Sequence, residues 1–379
     1  MIQSLIPKTS FLGLDNVAHL ATGGESPMLQ SHAAAVQQFM LDKSQGEPAR
    51  GLQDDMLEQA AARCASLFKV PVHDLTFLSS ASDGINVLRY ALEWQAGDNV
   101  VVADVEFPSD ILPWTTLQSQ GVEVRIVRHR DWVIEEDDVL ARVDERTRVV
   151  AISQVSMFTG QHMDVPKLSK AIRDKGAIFL LDATHAAGVV PVDASYADIM
   201  VCSCYKWLLG THGAAVFYCN RQTMGSLSPP FLGWASPVSS GGWQSPLEFK
   251  LSGNADRFLA ANPSYISLHV LNNGLKELQA LGEERIRDHC LQLSKMAHEG
   301  IAALGLEMMT PVDDARRAGN TCFMVDNVEA LRATLGEKGV LVWGAYGNFG
   351  RIRVSAHVHN DSADIERLLQ AMRDWKTAV

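Results

Sequence analysis

The 379-residue sequence lacks the features that would direct it to an oxidising compartment, a membrane or nucleic acid. Its six cysteines form no CxxC pair and no dense framework, so we expect free thiols in a reducing, cytoplasmic compartment. No uninterrupted apolar stretch is long enough to cross a bilayer, and the N-terminal segment lacks the long apolar run of a signal peptide. The net charge of −11 argues against nucleic acid as a partner, because phosphate binding requires a basic surface.

Further absences narrow the class of protein. The GxGxxG turn that a nicotinamide-dependent Rossmann enzyme needs after its first strand is missing. No internal repeat, low-complexity tract or metal site is predicted. With 47% hydrophobic and 20% charged residues, the composition is ordinary for a soluble enzyme. A chain of this length is too long for one simple core, so we expect two domains that share an interface.

Strand-like and helix-like segments alternate along most of the chain. Residues 74–92, for example, predict a strand, a polar loop and a helix in succession. Such alternation is typical of an α/β fold with a largely parallel, doubly wound sheet. The last hundred or so residues alternate more loosely and predict a smaller α+β domain. We assign residues 20–255 to the large domain, and residues 1–19 together with 256–379 to the small domain.

Two apolar strand-like runs end near residues of opposite charge. Residues 177–181 lead into Asp182, and residues 199–204 lead to Lys206. Short apolar runs are expected of strands that are buried on both faces of a parallel sheet. If these strands lie close together, the acid and the amine meet at the carboxyl edge, where α/β folds bind ligands. Pyridoxal phosphate (PLP) chemistry needs this pair, a lysine for the Schiff base and a carboxylate that keeps the pyridine nitrogen protonated. Alone, each residue would be an ordinary loop lysine or helix N-cap.

The segment Ser79–Gly84 lies between a predicted strand and a predicted helix. Its small residues would let backbone N–H groups approach a phosphate, and the helix N-terminus would add a favourable dipole. Ser82 could add a hydroxyl donor, and Ser203 could add another. The alternative is a plain serine N-cap with Asp83 in the first helical turn.

Three further residue types fit a PLP site. Phe107 follows a strand-like run and could stack on a pyridine ring, although a core phenylalanine is the simpler explanation. His185, three residues after Asp182, could bond the phenolic oxygen of the cofactor or be purely structural. Arg353 could clamp an α-carboxylate through two hydrogen bonds. Arg351 shares its strand face and is the rival candidate, and a surface ion pair is the simpler alternative.

Five segments together resemble one family: LLDATHAAG, SCYKWLLGTHG, SSASDGIN, VEFPSDILPW and RVSAHVHN. They are similar to the class V aminotransferase family of fold-type I PLP-dependent enzymes. The subset is that of cysteine desulfurases, isopenicillin N epimerase-like proteins, related C–S lyases and kynureninase. The resemblance runs from about residue 15 to the C-terminus. It implies a mostly parallel seven-stranded sheet between helices, a smaller C-terminal α+β domain, an amino-acid-like substrate, and a homodimer with shared active sites.

The resemblance also implies roles for individual residues. Lys206 would hold the cofactor, Asp182 would pair with the pyridine nitrogen, and Phe107 would stack on the ring. His185 matches a glutamine or histidine that contacts the phenolic oxygen. The remaining cofactor-binding residues are implied to be Ala81, Ser82 and Ser203 at the phosphate, Tyr205 before the lysine, Trp234 in a segment from the partner subunit, and Asn262 at the neighbour's phosphate. Arg353 and Thr22 are implied to bind substrate.

One departure from the family pattern bears on the reaction. Desulfurases carry a nucleophilic cysteine on the loop before the carboxylate-binding arginine, and residues 340–353 contain none. Cys322 lies some thirty residues upstream. Without a thiolate at the cofactor, persulfide formation has no acceptor.

We therefore expect a lyase (C–S or other β-elimination) or an epimerase acting at the Cα atom of an amino acid or amine-bearing derivative. An aminotransferase is one alternative, and a catalytically silent PLP-binding protein is another. Five aromatic residues suggest a bulky or aromatic substrate, namely Trp114, Trp234, Trp243, Trp343 and Tyr346.

Overall fold

A computed structural model describes residues 1–238, 248–344 and 350–378 of the chain. Trp243 and Tyr346, for which the sequence suggested substrate contacts, lie outside the described residues. Among the described residues, no helix combines the length and the apolar character needed to cross a membrane.

The larger of the two sheets that the described residues form has seven strands. Its spatial order is β2-β8-β7-β6-β5-β3-β4. Strand β8 pairs antiparallel with β2 and with β7, and the other pairings are parallel. This mostly parallel α/β sheet confirms the predicted fold class. Its strands are β2 (Leu75–Leu78), β3 (Asn99–Ala103), β4 (Glu123–Val127), β5 (Thr147–Ser153), β6 (Ile178–Asp182), β7 (Ile199–Ser203) and β8 (Ala215–Cys219).

Helices cover both faces of this sheet. Side chains of successive strand residues point to opposite faces, and in β3 Val100 and Val102 belong to one buried apolar cluster while Val101 and Ala103 belong to another. Because both faces are buried, the residues of such a strand form a continuous apolar run in the sequence. The accompanying helices are α1 (His32–Lys43), α2 (Ala49–Phe68), α3 (Ala81–Ala91), α4 (Pro108–Thr115), α5 (Glu136–Leu140), α6 (Val165–Asp174) and α7 (Arg221–Ser226).

A second sheet of four strands has the order β1-β10-β11-β9. Its strands are β1 (Ala18–Leu20), β9 (Asn320–Met324), β10 (Val340–Gly344) and β11 (Arg351–Ser355). A third apolar cluster lies against it. The helices of this half are α8 (Tyr265–Leu281), α9 (Glu283–Ala302), α10 (Val328–Glu337) and α11 (Ser362–Ala378).

The long helical stretch after residue 264 is divided at Gly282. Gly282 separates α8 from α9 and has a φ of 85°, a conformation that glycine adopts without steric cost. Leu271 and Leu275 of α8 belong to the apolar cluster of the large sheet, and β1 spans the predicted boundary at residue 20. The domain limits proposed above stay a prediction.

The close approach of α3 to the large sheet depends on Gly84. A Cβ atom at this position would lie 2.7 Å from Val201 Cγ1 in β7 and 3.0 Å from Phe217. The glycine therefore holds the N-terminus of α3 over β7.

We predict that Gly84→Ala lowers the free energy of unfolding by about 1–3 kcal/mol, the usual cost of overpacking. Gly51→Ala is the matched control, because Gly51 is also helical and an alanine methyl group there would have no neighbour within 4 Å. That control should be neutral or stabilising by up to about 1 kcal/mol. Chemical denaturation of both variants tests this, and equal stabilities would contradict the packing argument.

Candidate active site

A tight turn directly after β7 carries Lys206. The Gly210 N–H donates to the Cys204 carbonyl at 2.9 Å, and Leu209 adopts a φ of 55°. A positive φ is costly for leucine and persists only where the surroundings enforce it. Here α8 does so, since Gly274 allows its backbone to approach the Leu208 and Leu209 carbonyls. The turn thereby directs the lysine side chain into the protein rather than to solvent.

The Lys206 amine is buried among polar and aromatic groups. Its Nζ lies 3.1 Å from His185 Nε2, 5.7 Å from the ring centre of Phe107 and 5.5 Å from that of Tyr205. Burial, and then the positive charge of Arg353, lower the pKa of Lys206 to about 8. An amine with this pKa is partly neutral near pH 7 and can act as a nucleophile or a base.

Three carboxyl groups cluster next to this amine. Asp182 is the last residue of β6, and its Oδ1 accepts the Thr184 N–H at 2.7 Å. Burial raises the pKa of Asp182, and Thr184 and Lys206 act in the opposite direction. Burial raises the pKa of Asp110, and the charges of Asp182 and Glu106 raise it further. A hydrogen bond that the protonated Asp110 donates to Asp182 acts in the same direction. Both Asp110 oxygens are buried, and no group among the described residues donates a hydrogen bond to them.

Glu106 completes the acidic cluster and is anchored to the neighbouring strand. It accepts the Ser153 N–H at 2.9 Å and the Ser153 hydroxyl. Burial raises the pKa of Glu106 to about 7. Glu106 and Asp110 were not recognised in the sequence. Their signal was present, since they lie one residue before and three residues after Phe107 in VEFPSD.

The predicted phosphate-binding residues lie around the N-terminus of α3. Ser80 is the N-cap, and its side chain accepts the Asp83 N–H at 3.1 Å. Ser82 Oγ lies 2.7 Å from Ser109 Oγ at the start of α4, a second hydroxyl that was not recognised in the sequence. Ser203 ends β7, the strand on which Gly84 packs, and its N–H donates to Thr184 Oγ1 at 3.0 Å. Ala81 opens α3 itself.

Both candidate arginines are buried in β11. Arg353 Nη1 donates to the Met157 carbonyl at 3.2 Å, and Arg351 Nη1 donates to the same oxygen at 2.7 Å. Burial, followed by the charges of Lys206, Arg353 and Arg351, lowers the pKa of His185. Both arginines are therefore close enough to act on His185 through their charge, and Arg353 also acts on Lys206.

Thr22 lies on the chain segment that faces this strand. Its N–H donates to the Ser355 carbonyl at 3.3 Å, and its hydroxyl is buried without a hydrogen-bond partner among the described residues. The next residue, Gly23, has no room for a side chain, because a Cβ there would lie 3.2 Å from Arg353 Nε. Thr22 thus belongs to the arginine end of the site.

Trp234 and Asn262, two of the predicted cofactor-binding residues, lie away from Lys206. Trp234 is 54% exposed, and the Arg50 guanidinium lies 5.9 Å from its ring centre. Arg50 also donates to Asn262 Oδ1 at 3.2 Å. No contact among the described residues joins Trp234, Arg50 or Asn262 to Lys206. That Trp234 and Asn262 bind the cofactor of a partner subunit therefore stays a prediction.

Trp114 is not available to a substrate. It is fully buried in the apolar cluster on the α3 side of the sheet, and its indole N–H donates to the Asp110 carbonyl at 2.8 Å. The suggestion that it contacts a bulky substrate is wrong, because the α4 backbone and the core enclose its ring.

Comparisons with known proteins show the family to which the chain belongs. The family model described as Aminotransferase class-V matches residues 33–368. The chain belongs to the class V aminotransferase family. Members are PLP-dependent enzymes, which confirms the predicted cofactor and enzyme class.

Relatives and solved structures extend the similarity over nearly the whole chain. A probable cysteine desulfurase of Methanothermobacter thermautotrophicus is 26% identical, over 84% of this chain and 83% of the relative. The apo structure of a cysteine desulfurase from Thermococcus onnurineus superposes with a TM-score of 0.90 at 22% identity and covers both chains completely. The cystine C–S lyase C-DES, in complex with cysteine persulfide, gives a TM-score of 0.87 at 21% identity, over 96% of this chain and 99% of that one.

The site residues fit PLP chemically. Asp110 has two buried acceptor oxygens without donors among the described residues, beside Asp182 at the carboxyl edge of the sheet. A protonated pyridine nitrogen supplies the positive charge and N–H donor that such a cluster lacks. The small residues and hydroxyls at the N-terminus of α3 suit a phosphate, and the Phe107 ring suits a flat heterocycle.

We predict that borohydride reduction of the PLP-loaded protein leaves the cofactor on Lys206. The rate of PLP attachment to apoprotein should rise with pH through about 8, because only the neutral amine attacks and burial lowers its pKa to that value. Stopped-flow absorbance and peptide mapping measure the two quantities. An adduct on another lysine, or a rate still rising towards the ordinary lysine value of 10.5, would contradict the assignment.

Proposed function

We propose that this protein is a PLP-dependent lyase that removes the Cα proton of an amino acid and eliminates its β-substituent. The observation that supports this most directly is the buried Lys206 amine, 3.1 Å from His185 Nε2 and with its pKa lowered to about 8. An amine with this pKa can return a proton as readily as it removes one. When bound, the cofactor supplies the electron sink that makes the Cα proton acidic.

Each neighbouring residue has one role in this proposal. Asp182 would hold the proton of the pyridine nitrogen, and Asp110, as a neutral acid, donates a hydrogen bond to Asp182. His185 donates a hydrogen bond towards the phenolic oxygen. Phe107 fixes the plane of the ring by stacking. Lys206 would hold the cofactor, and its amine is placed to move the substrate proton.

An α-amino acid is the proposed substrate class because of the two arginines. A guanidinium binds a carboxylate through two parallel hydrogen bonds, and in a buried site this fixes the orientation of the substrate. We assign this contact to Arg353, with Thr22 beside it. The names of the relatives, desulfurases and a C–S lyase, favour a substrate with sulfur at Cβ.

The proposed reaction is elimination without an enzyme persulfide. Cys322 is the cysteine nearest to the arginines in the fold, since it lies directly opposite Arg353 in the pairing of β9 with β11. Its side chain is fully buried, and burial raises the pKa of its thiol despite the nearby arginines. A protonated, enclosed thiol is a poor nucleophile.

We further propose that two copies of the chain share their sites. Trp234 and Asn262 are accessible and lie with Arg50 on one surface. Phe231 and Leu232 on the same segment are 61% and 52% exposed. Large exposed apolar side chains in one region are typical of an interaction surface.

We predict that Arg353→Ala weakens binding of an amino-acid substrate analogue by about 2–5 kcal/mol, as expected when one partner of a desolvated ion pair is removed. Arg351→Ala is the matched control and should cost much less. Spectral titration of the PLP-loaded variants gives both dissociation constants. The opposite order would assign the carboxylate to Arg351.

We predict that sulfur-bearing amino acids such as L-cysteine yield free sulfide or thiol, ammonia and a keto acid, with no persulfide on the protein. Reactions in deuterated water separate the alternatives, because an epimerase exchanges the Cα hydrogen and forms no keto acid. A transaminase stops with the amine on the cofactor until a keto acid is added. A protein persulfide that disappears in Cys322→Ser would refute the proposed reaction.

A further inference from the structure

The His185 imidazole is held at both ring nitrogens. Trp207 Nε1 donates to His185 Nδ1 at 3.3 Å, and Asn320 Nδ2 lies 3.0 Å from the same nitrogen. On the other side of the ring, His185 Nε2 lies 3.1 Å from Lys206 Nζ. Trp207 and Asn320 were not recognised in the sequence as partners of His185. Trp207 directly follows Lys206, and Asn320 lies on β9, which is distant in the chain.

The two partners of Nδ1 are both donors. An indole N–H can only donate, so the His185 Nδ1 that receives it carries a lone pair and no proton. Asn320 Oδ1 accepts the Ser355 hydroxyl at 2.8 Å, which directs the amino group of the same amide towards His185. A neutral imidazole with an unprotonated Nδ1 must carry its proton on Nε2.

The surroundings leave the Trp207 ring little freedom to release this bond. The residue is fully buried, and its ring packs edge-on against His357 at 5.3 Å between centroids. Gly319 lies against the indole, since a Cβ there would be 3.2 Å from Trp207 Cη2. Gly188 similarly lies against the Trp207 carbonyl. The indole N–H is therefore fixed in direction.

We propose that Trp207 and Asn320 are positioning residues that fix His185 as a neutral imidazole with its proton on Nε2. In this form His185 donates towards Lys206, whose neutral amine accepts, and it remains a donor for an oxygen that takes the place of the amine. Ser355 extends the arrangement to β11, the strand of Arg353. The role towards the cofactor rests on the proposed function, whereas the protonation state does not.

Several neighbouring groups disfavour protonation of His185 to an imidazolium. A proton on Nδ1 would face the Trp207 N–H and the Asn320 amino group, and the added charge would lie close to Lys206, Arg353 and Arg351. Burial and these three charges lower the pKa of His185. Asp182 is the nearby acid on the same turn, but its Oδ1 is engaged by the Thr184 N–H.

The test is nitrogen NMR of the apoprotein labelled with ¹⁵N-histidine, with the His185 signals assigned by their loss in His185→Gln. We expect the two-bond correlations of a neutral ring protonated at Nε2 above about pH 8, where the Lys206 amine is neutral and can accept. We also expect no imidazolium to form between about pH 5 and 8, where an ordinary histidine titrates. A wild-type ring protonated at Nδ1, or one that titrates in this range, would overturn the proposal.

Two variants change the partners of Nδ1. Trp207→Phe removes the indole N–H, leaves Asn320 as the remaining described donor to Nδ1, and should raise the share of the Nδ1–H tautomer. Asn320→Asp replaces a donor by a carboxylate, which should move the proton to Nδ1 and raise the His185 pKa to about 6.5 or above. Trp94→Phe is the matched control, because its indole N–H donates to the Arg89 carbonyl, away from the site. His185 spectra that are unchanged in both folded variants would also overturn the proposal.

Kinetics then separate positioning from mere structural support. In the PLP-loaded enzyme, Asn320→Asp should acquire an acid limb in kcat near the new His185 pKa, which wild type and Trp94→Phe lack. Trp207→Phe should lower kcat in the wild-type background but not in His185→Gln, where no tautomer exists. If wild type gives the Nε2–H spectrum but binds no PLP, the tautomer assignment stands and the proposed function fails.

Discussion

The burial of the Lys206 amine is the constraint on which the rest of the site depends. An isolated ammonium group is costly to remove from water, and the protein meets this cost by lowering its pKa and surrounding it with polar partners. Arg353 disfavours the charged form, whereas Asp182 favours it. The balance leaves a reactive amine at the end of β7, held there by the turn that continues through Leu209.

The carboxyl groups of the site favour a positively charged group. Asp182, Asp110 and Glu106 are buried together, and the charge of Asp182 adds to the cost of ionising both Asp110 and Glu106. A positive group placed among them would be strongly stabilised, and this explains how a heterocyclic nitrogen could be kept protonated without a solvent-exposed partner. The arginine end has the opposite sign. The site is therefore polarised, with carboxyl groups near Asp182 and guanidinium groups near Arg353.

The two sheets contribute to one centre through their edges and loops. The carboxyl ends of β6 and β7 supply Asp182 and Lys206, and β11 supplies the arginines. Asn320 on β9 links the small sheet to His185 directly and, through Ser355, to the strand of the arginines. Asn320 and Ser355 thus join His185 to the strand of the arginines through hydrogen bonds that neither sheet provides alone.

Residue order alone was enough to predict the alternation of strands and helices, the mostly parallel sheet, and the acid and lysine at its carboxyl edge. These follow from local apolar patterning and from where charged residues interrupt it. Glu106 and Asp110 were within reach of the same reasoning, since they flank Phe107, but nothing in a linear pattern says that they turn inward beside Asp182.

Other features became visible only in three dimensions. The core encloses Trp114, Cys322 lies opposite Arg353, and Trp207 and Asn320 meet at one nitrogen of His185. Most of these contacts join residues far apart in the chain. They depend on how helices and strands pack within and between the two sheets, which local residue order does not encode.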